Sequence, residues 1–236
     1  MTHAPMTGSD AVVLEAEPFT TRLAIFDLDR TLVPGSSLAP LARLLADAGV
    51  ISRRRLVGAA VQHARFAARG ASDADVQRLR AEALSVVAGL DRAVLLPLTV
   101  EAGAGVARTA TAAARLLLQL HRERGDFCVI LSASPQELVE VVGEHLGAHR
   151  SIGTRGEIVE GRFTGRLDGP FCYGAGKLQR LTAALGPVDL TSAHAYADSG
   201  SDVPLLEACG NPVAVQPDRR LRTVARARGW PVIRLA

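Results

Sequence analysis

The sequence is poor in aromatic residues and cysteine, and each shortage argues against a class of protein. Phe, Trp and Tyr together make up 4% of the 236 residues, so the chain offers few rings on which nucleic-acid bases could stack. The net charge of +3 is scattered along the chain, and we expect no nucleic-acid partner. The three cysteines are widely spaced and form no CxxC pair, which argues against a disulfide framework or a zinc site.

Long hydrophobic runs are also missing. No apolar stretch approaches the length of a transmembrane helix, and residues 1–20 lack the basic and apolar regions of a secretory signal. Since unpaired cysteines fit a reducing compartment, we expect a soluble, cytoplasmic protein without a membrane partner. The sequence gives no indication of the oligomeric state.

Lysine is the scarcest basic residue. Only Lys177 is a lysine among the 27 basic positions, and all the others are arginine. Lysine differs from arginine in placing a compact point charge on a slender stem. Lys177 is therefore a candidate site residue, although a single occurrence could also arise by chance.

The stretch from Arg22 to Thr31 contains the strongest local signal. Four apolar residues, Leu23 to Phe26, run directly into Asp27 and Asp29. A short apolar run of this kind predicts a buried parallel strand, and ligands bind at the carboxyl ends of such strands in open α/β sheets. The alternative is a polar turn with two solvated acids.

Strand patterns alternate with helical patterns along most of the chain, which predicts an α/β fold with a doubly wound, Rossmann-like parallel sheet. Residues 36–104 break this alternation because they carry helical patterns without strong strand signals. We interpret residues 36–104 as an inserted, mostly helical cap. The core is then formed by residues 21–35 and 105–236, and residues 1–20 form an N-terminal tail.

Several elements can be assigned individually. The sequence EIVEGRFTGRL predicts a β-hairpin around Glu160 and Gly161. A single helix is predicted from about residue 105 to residue 124. Three helices are predicted in the cap. The first is capped by Ser36 or Ser37 and ends at Gly49, the second covers residues 52–68, and the third covers residues 72–87.

Polar residues follow three of the predicted strands: first Asp27 and Asp29, then Ser132 and Ser134, and finally Asp198 and Asp202. The carboxyl ends of parallel strands meet at one edge of a sheet, so these groups can converge. Carboxylate oxygens suit Mg²⁺, and a lysine with a hydroxyl suits a phosphate group. Ser132 could instead cap the next helix, and Asp202 could interact with a helix N-terminus.

This order of groups resembles the haloacid dehalogenase superfamily of phosphatases. Four motifs carry the resemblance: DLDRT, Ser132 in ILSAS, Lys177, and DSGSD from Asp198 to Asp202. The phosphoserine-phosphatase-like branch is the most similar, because the helical cap follows the first motif. The resemblance implies a Mg²⁺-dependent phosphomonoesterase that hydrolyses a small phosphorylated metabolite through an aspartyl-phosphate.

The resemblance also implies roles for individual residues. Asp27 would be the nucleophile, and Asp29 would protonate the leaving group and then deprotonate water. Mg²⁺ would be held by the Asp27 carboxylate, the Asp29 carbonyl and Asp198. Lys177 would bind the phosphoryl oxygens.

Two further residues complete the implied phosphate site. Ser132 would bind the phosphoryl oxygens together with the lysine. Asp202 would not bind the metal ion directly but would contact metal-bound water or Lys177.

The sequence departs from phosphoserine phosphatases at one point. Those enzymes carry a glutamate soon after the first motif, whereas the first acid after Asp29 here is Asp47. This departure argues against phosphoserine as the substrate, and Ser36 and Ser37 are possible substrate contacts.

Three other functions are compatible with parts of this pattern. A phosphotransferase would pass the phosphoryl group to an acceptor alcohol. A signalling receiver domain is the second alternative, but such domains are shorter than this chain and lack both the cap and the late DxxxD motif. A non-catalytic protein that binds phosphate ligands could retain the scaffold without the chemistry.

Overall fold

The computed structural model of the protein describes residues 21–52 and 73–235. The predicted tail at residues 1–20 lies outside the described residues, as does nearly all of the helix predicted over residues 52–68.

Within the described residues, six strands form one parallel sheet in the spatial order β3-β2-β1-β6-β7-β8, and two more form the antiparallel pair β4-β5. In chain order the strands are β1 (Leu23–Phe26), β2 (Phe127–Pro135), β3 (Arg150–Thr154), β4 (Gly156–Val159), β5 (Arg162–Leu167), β6 (His194–Ala197), β7 (Asn211–Val215) and β8 (Val232–Ile233). From β1 the chain first adds strands on one side and later on the other. This reversal places a crevice between the carboxyl ends of β1 and β6.

Helices lie on both faces of the sheet, which confirms the predicted doubly wound α/β fold. Within the described ranges, no helix is both long and apolar enough to cross a membrane. The α-helices are α1 (Leu38–Asp47), α2 (Asp73–Val87), α3 (Arg92–Arg108), α4 (Ala112–Glu123), α5 (Gln136–Leu146), α6 (Ala175–Leu185), α7 (Val203–Ala208) and α8 (Arg219–Arg228).

The four residues of β1 are fully buried because both faces of the strand are covered. Leu23 and Ile25 pack in the core with residues of α6, α7 and α8. Ala24 and Phe26 point to the opposite face and pack in the core with residues of α3, α4 and α5. A continuous apolar run, rather than an alternating one, is therefore what this central strand requires.

A third apolar cluster joins α1, α3 and α5 with β5. Leu41 of α1, Leu95 of α3 and Phe163 of β5 belong to one buried group that also includes Leu138 of α5. The β4-β5 hairpin was correctly predicted, and both Glu160 and the following glycine adopt the positive φ angles that a two-residue hairpin turn needs. The hairpin thus packs with helices α1 and α3.

Two elements differ from the sequence-based expectation. The single helix predicted over residues 105–124 is two helices, α3 and α4, separated by Thr109–Thr111, and α3 contains Pro97. Strand β3 was missed because its exposed first residue, Arg150, and the small residues that follow obscure the apolar pattern. Helix α3 runs across residue 104, and the domain boundary at that residue stays a prediction.

Candidate active site

Asp27 lies at the carboxyl end of the central strand, beside the crevice between β1 and β6. Its backbone N–H donates to the carbonyl of Tyr196 at 2.9 Å, so the last bond of the β1-β6 ladder fixes its backbone. The side chain is buried, with a residue exposure of 7%. A buried carboxylate needs a cation or hydrogen-bond donors to offset the lost hydration.

Lys177 supplies that charge from the first turn of α6. Its Nζ lies 2.6 Å from Oδ1 of Asp27 and 2.7 Å from Oδ1 of Asp202. Burial alone would lower the pKa of Lys177, but Asp202 and Asp27 raise it above the ordinary lysine value. The only lysine of the sequence therefore sits, buried and charged, between two aspartates from the first and last predicted motifs.

Asp27, Asp198 and Asp202 form a buried acidic cluster in which one oxygen from each residue lies within 4.8 Å of the others. Burial, reinforced by the charge of Asp27, raises the pKa of Asp198 to about 8. Burial also raises the pKa of Asp202 to about 6, although Lys177 opposes that rise. Clustered carboxylates in an apolar setting are thus poorly stabilised as anions by the protein alone.

The cluster is suited to a divalent cation. Hard carboxylate oxygens at close range are the donors that Mg²⁺ and similar ions take in proteins, and a cation would stabilise the ionised forms of Asp198 and Asp202, whose pKa values burial raises. Asp198 follows the last residue of β6 and offers oxygen atoms across the crevice from Asp27. The chemistry of the donor set therefore fits a metal ion.

Arg30 is a neighbour of this cluster that sequence analysis did not identify. Its Nε lies 3.1 Å from Oδ2 of Asp198, and its backbone has a φ of 62°. Non-glycine residues with positive φ are uncommon and concentrate at functional sites. Its position inside the DLDRT motif was the only available signal, because the turn that reverses its backbone cannot be read from residue types.

Asp29 faces the turn that precedes α1. Its Oδ1 accepts a hydrogen bond from the backbone N–H of Ser37 at 2.8 Å. Burial raises the pKa of Asp29 to about 6, a side-chain hydrogen bond from Ser37 opposes the rise, and the charge of Asp27 adds to it. A carboxyl group with this pKa can exist in both protonation states near neutral pH.

The two candidate substrate serines differ in their surroundings. Ser37 is fully buried, and its Oγ lies 2.7 Å from Oγ of Ser134, a bond in which either atom can donate. Ser36 is half-buried, and its Oγ accepts from the N–H of Leu38 at the start of α1. Ser36 therefore makes the capping contact, and Ser37 links the start of α1 to strand β2.

Ser132 lies at the carboxyl end of β2, next to the central strand. It is 2% exposed, and its Oγ accepts from the backbone N–H of Ser134 at 3.2 Å. This bond leaves the hydroxyl hydrogen of Ser132 available to donate elsewhere. Ser132 thus occupies the same edge of the sheet as the acidic cluster.

The chain is similar to proteins of a known family. A sequence profile of the haloacid dehalogenase-like hydrolases matches residues 24–207. Phosphoserine phosphatase SerB1 of Mycobacterium tuberculosis is 37% identical over 216 residues, which cover 90% of this chain and 70% of that protein.

Solved structures show the same architecture. A protein of unknown function from Bordetella pertussis Tohama I is 31% identical with a TM-score of 0.78, and the match covers 92% of this chain and 100% of that one. A phospho-aspartyl intermediate analogue of a phosphoserine phosphatase is 19% identical with a TM-score of 0.61, covering 92% and 95% of the two chains. The second likeness concerns the fold alone.

Proposed function

The chain belongs to the haloacid dehalogenase-like hydrolase family, and we propose that it is a Mg²⁺-dependent phosphomonoesterase acting on a small phosphorylated metabolite. The observation that carries this proposal is the contact between Lys177 and Asp27, at 2.6 Å, beside two further buried aspartates. The Asp27 carboxylate, the Lys177 ammonium group and a candidate metal site therefore lie next to one another. The name of the M. tuberculosis relative, a phosphoserine phosphatase, supports the same reaction type.

Asp27 is the proposed nucleophile. One of its carboxylate oxygens attacks phosphorus, the bond from phosphorus to the ester oxygen breaks, and an aspartyl-phosphate forms. Water then attacks the same phosphorus and releases phosphate and the free carboxylate. A carboxylate suits this chemistry because its acyl-phosphate is readily hydrolysed.

Asp29 is the proposed general acid and base. It donates a proton to the departing alkoxide in the first half-reaction and, now ionised, accepts a proton from water in the second. A pKa of about 6 supports this alternation, since neither protonation state is far from neutral pH. The bonds from Ser37 hold the carboxylate in place, and we assign Ser37 to positioning Asp29 rather than to substrate contact.

Lys177 and Ser132 are proposed to bind the oxygens of the transferring phosphoryl group. Lys177 already neutralises Asp27 and is held in place by Asp202. Donors fixed before the reaction stabilise the charge that develops in the transition state without reorganising.

The metal ion is proposed to bind the carboxylates of Asp27 and Asp198 together with the backbone carbonyl of Asp29. When bound, Mg²⁺ screens the anionic nucleophile from the anionic substrate. The pKa of Asp198, at about 8 without a cation, supports a requirement for positive charge there.

The proposed substrate is a phosphate monoester other than phosphoserine. No acidic residue occurs between Asp29 and Asp47, so this stretch supplies no carboxylate for a substrate ammonium group. Ser36, half-buried at the start of α1, is a candidate contact for a neutral or hydroxylated leaving group.

The proposal is tested by hydrolysis of para-nitrophenyl phosphate with Mg²⁺ and with EDTA. We expect turnover that EDTA abolishes and Mg²⁺ restores, and no turnover in Asp27→Asn. A second assay measures phosphate release from a panel of phosphorylated metabolites, with phosphoserine included and glycerol present or absent as an acceptor. Activity that persists in EDTA, or phosphate transfer to glycerol in place of release, would contradict the proposed reaction.

A further inference from the structure

A second groove opens beyond the carboxyl ends of β7 and β8, at the same edge of the sheet as the acidic cluster. Its volume is about 720 Å³. Arg222 and Arg226 of α8 line it together with Arg234, while Val232 and Ile233 of β8 provide an apolar wall. We call this feature the arginine groove.

The positive charge of the arginine groove is not neutralised by nearby acids. Over residues 21–52 and 73–235, neither Arg222, Arg226 nor Arg234 forms an ion pair with a carboxylate. Arg228, on the same helix, does pair with Glu207. Arg222, Arg226 and Arg234 are exposed, and Arg222 donates one hydrogen bond to the backbone carbonyl of Pro217 at 3.0 Å. Guanidinium groups that no carboxylate pairs with are suited to bind an anion with several charged oxygens.

The ligand class follows from the lining. Guanidinium groups bind phosphate through paired, planar hydrogen bonds, and three of them exceed what one phosphate dianion can neutralise. Val232 is 52% exposed, so the β8 wall offers apolar surface to an organic moiety beside the charged groups. A nucleoside di- or triphosphate combines these two features.

A short chain of contacts joins the arginine groove to the candidate active site. Gln216 lines the groove, and its Nε2 donates to the backbone carbonyl of Arg30 at 3.3 Å. Arg30 in turn pairs with Asp198. Gln216 and Arg30 have φ angles of 42° and 62°, so both ends of the connecting hydrogen bond lie in uncommon backbone conformations.

We propose that the arginine groove is an effector site for nucleoside polyphosphates, and that its occupation changes turnover at Asp27 through Gln216 and Arg30. The binding site stands on the groove alone. The effect on turnover rests on the proposed phosphatase function.

Binding is measured by calorimetric titration of the full chain with ATP, AMP and pyrophosphate in EDTA, where the acidic cluster repels anions. We expect saturable ATP binding, weakened at least about tenfold by Arg226→Glu, a loss of about 1.4 kcal/mol. AMP, with one phosphate, and pyrophosphate, without the organic moiety, should both bind more weakly than ATP. If pyrophosphate bound as tightly as ATP, the nucleoside would contribute nothing to binding, and the proposal of a nucleoside polyphosphate as the ligand would be wrong.

Arg219→Glu is the matched control, because it makes the same charge change on the exposed start of α8 outside the groove lining. Circular dichroism and thermal melting verify that both variants are folded. If both variants lost ATP binding equally, general charge attraction would explain the binding and the proposed site would be wrong. ATP binding that does not saturate in the wild type would also contradict the proposed site.

The effect on turnover is measured with para-nitrophenyl phosphate and Mg²⁺, with and without ATP. We expect ATP to change the wild-type rate and to have no effect in Arg226→Glu or in Gln216→Asn, which shortens the side chain but tolerates a positive φ. An equal ATP effect in Arg226→Glu would place the nucleotide in the active site and overturn the coupling, whereas an inactive wild type would contradict the phosphatase proposal itself.

Discussion

Nζ of Lys177 lies 2.6 Å from Oδ1 of Asp27, although 150 residues separate the two in the chain. Both side chains are nearly excluded from water. Asp202 holds the lysine from its other side, so the ammonium group bridges an acid from the first motif and an acid from the last. Removing the ammonium group would leave buried carboxylates uncompensated.

Replacing Lys177 should therefore abolish turnover even when the charge is kept. We expect Lys177→Met and Lys177→Arg each to lower kcat by about 10²–10³-fold, since the planar guanidinium does not fit a slot built for a slender ammonium. Gln179→Ala, at an exposed position of the same helix, is the control and should keep the wild-type rate. Near-normal activity in Lys177→Arg would show that charge alone suffices.

Ser37→Ala should shift the pH profile. The hydroxyl of Ser37 lowers the pKa of Asp29, so its removal should raise that pKa and move the acid limb of the kcat profile to higher pH. Ser36→Ala, which removes a capping contact one residue away, should leave the limb in place. An unshifted limb in Ser37→Ala would show that Asp29 does not set it.

Stability should depend on pH and Mg²⁺ together. Asp29, Asp198 and Asp202 have pKa values of about 6 to 8 in the folded state, above the ordinary value of about 4. The folded state thus binds more protons than the unfolded state between about pH 4 and pH 8, and stability without metal should fall as pH rises through this window. Thermal melting should show a larger Mg²⁺-dependent gain at pH 8 than at pH 5, and an equal gain at both would contradict this account.

Asp126 stabilises the opposite end of the sheet. Its carboxylate contacts Nε of Arg22 at 2.5 Å and Nδ1 of His121 at 2.7 Å. Although burial opposes it, these two partners lower the pKa of Asp126. Asp126→Asn should lower the free energy of unfolding by about 2–3 kcal/mol in urea titrations at neutral pH.

The pH dependence of that loss provides a check. A lowered folded pKa means that the contribution of Asp126 is present above about pH 4 and fades only in more acidic solution. The difference between the wild type and Asp126→Asn should therefore shrink below pH 4. Glu123→Gln, at an exposed position nearby, should change stability by less than about 0.5 kcal/mol.

The sequence was sufficient to predict the convergence of the acidic cluster with Lys177. The run from Leu23 to Phe26 specified a doubly covered strand, and polar groups at the ends of parallel strands must share an edge. The profile match confirms the family that these motifs indicated. Most of the fold and the central residues of the site were therefore predictable from residue types and from the order of strands along the chain.

Other features depended on geometry that residue types do not encode. The pairing of Arg30 with Asp198 requires a backbone with positive φ, which nothing in an arginine predicts. Ser37 was expected to face either the substrate or the helix backbone. It occupies the N-cap position of α1 but makes no side-chain capping bond, and its Oγ lies 2.7 Å from Oγ of Ser134 instead. Such contacts between distant segments become visible only in the folded chain.

The most direct test of the account is to identify the residue that becomes phosphorylated. The protein is mixed with para-nitrophenyl phosphate and Mg²⁺, quenched in acid within one turnover, digested, and analysed by peptide mass spectrometry. We predict the added mass of one phosphoryl group on Asp27, and neither label nor turnover in a folded Asp27→Asn variant. A phosphoryl group on any other residue, or steady turnover by Asp27→Asn, would contradict the central claim that Asp27 attacks phosphorus.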